Sequence, residues 1–233
     1  MGELYRYVTE NRMNEYLREY EFLKEGIPSV KVCQCPEGIY GHGSTVWDAA
    51  LVLCAFLETP QGNEFIREAK CIELGAGTGI VSIAACLLGA ANSLATDLDT
   101  CVPFIRQNIG LNPKAETCQA KALDWNCIAD THEIGEGQFD WVLCADCVYD
   151  PVHVESLTRT IVALKPNRGI IVSNERREIE SNALAEKTFI KAMHEAGFVG
   201  KAVQKDLIRP EWRCEDIDVI VFSKQVPSDK RGA

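Results

Sequence analysis

No stretch of this sequence is long and apolar enough to cross a bilayer. The longest apolar runs, such as residues 80–91, are short and broken by Ser82 and Gly89. Residues 1–6 lack the basic-then-apolar layout of a secretory leader, and Arg6 stands where a myristoylation motif needs Ser or Thr. A soluble, cytoplasmic protein is the expectation. The sequence also lacks a Lys/Arg block and an aromatic-basic stripe, and its formal net charge is −10. A protein that neutralises many phosphates would carry the opposite sign, so nucleic acid is a poor partner and a lysine-bearing protein surface a better one. Prolines are few, at 9 in 233 residues, and no internal repeat or low-complexity segment breaks the chain. One globular domain over residues 29–224 follows, with a loose or briefly helical extension over 1–28 and a disordered tail over 225–233.

Cysteine is abundant, with eleven residues, yet the spacing does not resemble a disulfide framework. Cys54, Cys71, Cys86 and Cys144 sit inside apolar runs, as free thiols do when they act as small core hydrophobes in a reducing compartment. The close pairs Cys33/Cys35 and Cys144/Cys147 would have to converge to hold zinc, and no metal site is expected.

From residue 70 onward, strand and helix patterns alternate. Strands are expected at 71–74, 93–96, 117–122, 139–144 and 169–173, and helices at 79–88, 100–109, 151–164 and 183–196. An earlier helix over 46–57 stops at Pro60, and a strand over 29–34 leads into a glycine-rich stretch over 38–43. The last two strands, 198–205 and 217–222, have no helix between them. The fold class is therefore α/β: a Rossmann-like, doubly wound, seven-stranded sheet, mostly parallel with an antiparallel edge hairpin at its C-terminal end.

The strongest chemical signal is Glu73-Leu-Gly75-Ala76-Gly77-Thr-Gly79 at the first strand-to-helix turn. Glycines there permit a tight turn and close backbone approach to a ligand. A dinucleotide fingerprint needs its third glycine one residue later, where Ile80 stands. Glu73 would repel a pyrophosphate but suit a ligand bearing an amino group and a sulfonium. Some twenty residues on, Asp97 closes the next strand, at the distance from which an acid accepts hydrogen bonds from ribose hydroxyls. Asp99 is expected to cap the helix that follows. Asp124 and Trp125 follow the third strand, where an indole can pack on adenine and a carboxylate can accept from its exocyclic amine. Asp146 and Tyr149 follow the fourth, facing the crevice where open α/β sheets bind ligands.

These motifs together resemble the seven-β-strand protein-lysine methyltransferases, methyltransferase family 16. The matching pieces are Val46-Trp47-Asp-Ala-Ala-Leu-Val-Leu, the glycine loop, Thr-Asp97-Leu, Trp125 and Ala145-Asp146-Cys-Val-Tyr149; the glycine loop is generic, while Trp-Asp-Ala-Ala with Asp-x-x-Tyr is specific to the group. The resemblance implies S-adenosylmethionine as cofactor, held by Trp47, Gly75, Ala76, Gly77, Asp97, Trp125 and Ala145, to which the loop's own chemistry adds Glu73. It also implies Asp146 and Tyr149 as catalytic residues acting on a lysine ε-amine. Its implied partner is a protein substrate of the chaperone-like or AAA ATPase kind, met by a monomer in the cytoplasm. Glu175-Arg-Arg177 also resembles the family, without a definite role. A nucleic-acid or small-molecule methyltransferase and a non-catalytic cofactor-binding adaptor remain as alternatives.

Overall fold

The computed structural model describes residues 16–35 and 41–224. Most of the N-terminal extension (1–15), the glycine-rich residues 36–40 and the tail 225–233 lie outside the described residues. Seven strands form the main sheet: β3 (Lys70–Leu74), β4 (Asn92–Asp97), β5 (Cys118–Ala122), β6 (Trp141–Ala145), β7 (Gly169–Glu175), β8 (Phe198–Ala202) and β9 (Ile217–Lys224). They lie in the order β5-β4-β3-β6-β7-β9-β8. Strands β3 to β7 are parallel, and β9 runs antiparallel to both its neighbours. The last strand thus inserts between β7 and β8, so β8 rather than β9 is the edge of the expected hairpin. The chain winds outward from β3 to β5, then crosses back to start β6 on the other side of β3. The strand ends flanking that reversal open a crevice, the place where such sheets take ligands.

Why these segments are strands is plain from β6. Val142, Leu143 and Cys144 are all fully buried, so both faces are apolar, as a parallel strand covered on two sides requires. The covering helices are α1 (Asp48–Leu57), α2 (Pro60–Ile66), α3 (Ile80–Leu87), α4 (Val102–Gly110), α5 (Ile128–Ile134), α6 (Pro151–Leu164) and α7 (Glu180–Glu195). Helix α1 is buried at every position from Ala49 to Leu57; a helix apolar all round belongs in a core. It packs on α3, β6, β7 and β9. Its first residue directly follows Trp47, so the burial of α1 is what fixes that indole at the crevice.

Several local expectations are corrected. Pro60 does not simply stop a helix: Thr59 accepts from the Gly62 N–H and Pro60 occupies the first turn of α2, the position where a missing N–H costs nothing. Asp99 opens a short 3-10 turn with no side-chain cap, and α4 begins only at Val102. Before residue 28, the described chain includes a strand and no helix. Leu17–Tyr20 forms β1, antiparallel to β2 (Val30–Cys33).

This small ribbon is held by two asparagines, Asn108 in the last turn of α4 and Asn112 just past its end. Asn108 accepts from the Cys33 N–H (2.7 Å) and donates to the Cys33 carbonyl, and Asn112 does the same with Lys31. The match is geometric. Alternate residues of a strand lie roughly 6.6 Å apart, and each amide meets both backbone groups of one of them, so the two amides stand in for a neighbouring strand.

Candidate active site

The glycine loop joins β3 to α3. Gly75, Gly77 and Gly79 all have positive φ (65°, 54° and 80°). At Gly75 a β-carbon would lie 3.0 Å from the Cys147 sulfur and 3.1 Å from the Trp125 ring, and at Gly77 one would lie 3.0 Å from the Gly43 carbonyl. The loop is therefore closed in by β6 on one side and by residues 41–44 on the other. Asp97, at the end of β4, accepts from the Gly77 N–H through Oδ2 and from the Leu98 N–H through Oδ1, both at 2.8 Å. These two bonds fix the carboxylate while leaving lone pairs on each oxygen.

Glu73 is buried beneath the loop. Its Oε2 accepts from both the backbone and the hydroxyl of Ser82, at 2.8 and 2.6 Å. Burial pushes its pKa up to about 8, with the Asp97 charge adding and the Ser82 bonds opposing. At neutral pH it carries a proton more often than not. The carboxylate expected to attract a ligand's amino group is thus mainly a neutral anchor for the start of α3. Asp124 is also partly committed, since its Oδ1 accepts from the Asn126 backbone at 2.8 Å and the Asn126 amide at 3.2 Å.

At the end of β6, Asp146 takes a left-handed conformation (φ 55°), while its N–H still donates to the Ser173 carbonyl of β7 at 2.8 Å. Its side chain is buried. Oδ2 accepts from Arg177 in a close ion pair, and Oδ1 accepts from the Glu175 N–H at 3.3 Å. Arg177 reaches Glu175 as well, at 3.0 Å, and its guanidinium lies 5.7 Å from the centre of the Trp47 ring. The Trp47 indole N–H donates to the His42 carbonyl at 2.9 Å. Tyr149 stands beside His42 (ring centroids 6.0 Å apart) and His153 (6.3 Å). Burial, reinforced by the negative groups around it, raises its hydroxyl pKa.

All ten residues singled out in the sequence line one crevice: Trp47, Glu73, Gly75, Ala76, Gly77, Asp97, Trp125, Ala145, Asp146 and Tyr149. It encloses about 640 Å³, within the ~300–1,000 Å³ usual for cofactor and small-ligand sites.

A family model described as lysine methyltransferase matches residues 33–196. The chain belongs to that family. Mouse EEF1A lysine methyltransferase 3 is 34% identical over 183 residues, covering 78% of this chain and 72% of that protein. Mouse protein-lysine methyltransferase METTL21E is 38% identical over 151 residues, covering 63% of this chain and 62% of its own length. The chain likewise spans 61% of the length of Xenopus tropicalis protein N-lysine methyltransferase METTL21A. Among solved structures, ribosomal protein L11 methylase of Lactobacillus delbrueckii subsp. bulgaricus shares the fold (TM-score 0.51, 19% identity, 77% of this chain and 78% of that one). So does magnesium protoporphyrin IX methyltransferase of Synechocystis PCC 6803, solved with bound SAH (TM-score 0.52, 15% identity, 82% and 87%).

The methyl donor of this lysine methyltransferase family is S-adenosylmethionine, and the residues present fit it. Asp97 offers ribose-directed lone pairs beside a glycine loop, Trp125 and Leu98 supply apolar surface, and the crevice has room for the whole molecule. Among the described residues, no group of three or more His, Cys, Asp or Glu is arranged to hold a metal, and the eleven cysteines are free thiols.

Sequence reasoning missed His42, Thr45 and His153, which also line the crevice. His42 arrives from the segment before α1, and no local pattern marks it. Arg177 was visible only as part of Glu175-Arg-Arg177; its partner lies on a different strand.

Proposed function

We propose that this chain transfers the methyl group of S-adenosylmethionine to the ε-amine of lysine in a protein. The observation that carries the reading is the pairing of two half-sites in one crevice of a lysine-methyltransferase family member. Asp97 and the glycine loop lie on one side of β3, and Asp146 and Tyr149 lie on the other. Two strand spacings separate them, roughly 10 Å, which suits a donor bound at one half and an acceptor presented at the other.

S-adenosylmethionine, when bound, supplies a methyl group activated on a sulfonium. The chain's own residues do the rest. Asp97 accepts from the ribose hydroxyls, Trp125 packs on the adenine, and Gly75, Ala76, Gly77 and Ala145 let the backbone come close. Trp47 and the neutral Glu73 complete the walls. A solvated lysine has a pKa near ~10.4, so the site must favour the uncharged amine and align its lone pair. Asp146 orients that amine. Tyr149, whose raised pKa keeps the hydroxyl protonated, acts through its ring face and a neutral O–H rather than as a phenolate base.

The substrate is proposed to be a chaperone-like or AAA ATPase in the cytoplasm, and the enzyme a monomer. Among the described residues no helix is long and apolar enough to cross a membrane, and the net charge of −10 favours a basic protein surface over a phosphate backbone. Cell lysate incubated with the chain and isotopically labelled S-adenosylmethionine tests this. Mass spectrometry should find label on lysine in one or a few proteins. Label on RNA, DNA or a metabolite would refute the lysine assignment.

A further inference from the structure

We propose that Arg177 is a positioning residue that stays on Asp146 throughout the reaction and makes the site accept its lysine as an uncharged amine. This rests on the lysine-acceptor reading above.

Three contacts hold the guanidinium. It pairs with Asp146, whose side chain is 4% exposed, and with Glu175, 31% exposed, and it lies over the Trp47 ring. Two carboxylates on one guanidinium nitrogen, Nη2, with an aromatic face beneath, leave it little freedom. An incoming ammonium would have to break all three contacts to take its place. Arginine is also permanently charged. Asp146 therefore presents to the crevice a carboxylate whose charge is already met.

That changes what the carboxylate can do. A lone buried carboxylate stabilises a neighbouring ammonium and raises its pKa, which is the wrong state for a nucleophile. With Arg177 in place, a second cation beside Asp146 meets a like charge and is disfavoured. Oδ1 makes only a long bond, 3.3 Å, to the Glu175 N–H, so it can still accept one N–H of a neutral amine and orient it. The lysine proton leaves to solvent before the amine settles.

The other ionisable groups nearby do not restore the missing negative charge. Glu175 is the more solvated partner of Arg177, and Asp150 is engaged in capping α6 through the Val152 N–H. Asp97 lies across β3 with both oxygens bonded to backbone N–H groups. Glu73 is mostly protonated below pH 8. The Tyr149 hydroxyl and the buried Cys147 thiol are both held in their neutral forms. His42 and His153 flank Tyr149 and can add only positive charge.

The test uses the full chain and a nitrogen analogue of S-adenosylhomocysteine whose bridging nitrogen carries an aminobutyl arm. A butyl-armed analogue serves as control. Calorimetry at pH 7 in buffers of different ionisation enthalpy counts the protons released on binding. At that pH Glu73 is still mostly protonated and the free arm is almost wholly protonated. The control subtracts every protein group that responds to the adenosine portion.

Wild type should release about one proton more with the aminobutyl arm than with the control, whereas Arg177→Gln should release almost no excess. Arg177→Lys, which keeps a cation, should behave as wild type. Undiminished affinity of Arg177→Gln for the butyl control shows that its site is folded. The inference is overturned if Arg177→Gln releases as much excess as wild type, or if wild type releases none. A different failure exposes the underlying reading: an aminobutyl arm that differs from the butyl arm neither in affinity nor in proton release, in wild type and in Arg177→Gln alike, means that no amine is held there at all.

Discussion

Asp146 and Arg177 form an ion pair across the ends of two adjacent parallel strands, β6 and β7. The pair depends on backbone geometry at both ends. Asp146 leaves β6 in a left-handed turn while its N–H stays bonded to Ser173 of β7. Arg177 follows β7 closely enough to reach back, and Trp47 lies beside its guanidinium. The carboxylate expected to meet the substrate's amine is thus buried, oriented and already charge-balanced.

Asp146→Asn is the clean test of that carboxylate. Asparagine tolerates the left-handed φ of 55°, which alanine does not adopt without strain. The loop should therefore survive while the charge is lost. Turnover in single-turnover methyl transfer should fall by about 100-fold or more, with S-adenosylmethionine affinity within a few-fold of wild type. Asp97→Ala should do the reverse. It removes acceptors for ribose hydroxyls, each charge-assisted bond contributing about 1.5–3 kcal/mol, and calorimetry should show the cofactor lost first. If Asp146→Asn loses cofactor and turnover together, the residue belongs to the cofactor half of the site.

Much of this arrangement is legible in the sequence because it lies in short, ordered strings. The glycine loop, Asp97, Trp125 and Asp146 each lie at or just past the C-terminal end of a strand, so one α/β pattern brings them to one end of the sheet. What escapes is set by distant partners. Leu17–Tyr20 has no periodicity of its own and becomes a strand because it pairs with β2, itself held by Asn108 and Asn112. Pro60 suits both the end of one helix and the first turn of the next, and the Thr59 cap decides between them. Arg177 is an ordinary charged residue until β7 lies beside β6.

Asn108 should be among the costliest polar positions in the core. Its amide is fully buried and makes three bonds beyond its own helix: two with Cys33 of β2 and one to the Thr78 carbonyl in the glycine loop (2.9 Å). Asn108→Leu strands these backbone groups without partners, at roughly 1–3 kcal/mol for each one left buried. Unfolding in urea should show a loss of about 2 kcal/mol or more, with weaker cofactor binding as the loop loosens. Asn112→Leu has no tie to the loop. It should destabilise the fold while leaving the affinity of the folded protein unchanged. Equal effects of both variants on binding would mean that Asn108 does not steady the loop.

Glu73 should make stability fall as pH rises through the neutral range. In the unfolded chain it titrates as an ordinary glutamate, near 4.5, whereas burial lifts the folded value to about 8. Between those values the folded protein holds a proton that the unfolded chain has released. Stability then declines with increasing pH across that window and levels off above it. The largest effect is on the order of 5 kcal/mol; the Ser82 bonds, which favour the ionised form, are already reflected in the folded value of about 8. Glu73→Gln stays neutral at every pH, and its amide oxygen can still accept from Ser82. Urea unfolding of both proteins from pH 5.5 to 8.5 should show the variant gaining on wild type, by about 3 kcal/mol over the range. Histidines and other groups titrate in both proteins and cancel in the difference. Parallel curves would show that Glu73 ionises normally, and would return to it the charge that a ligand's amino group could use.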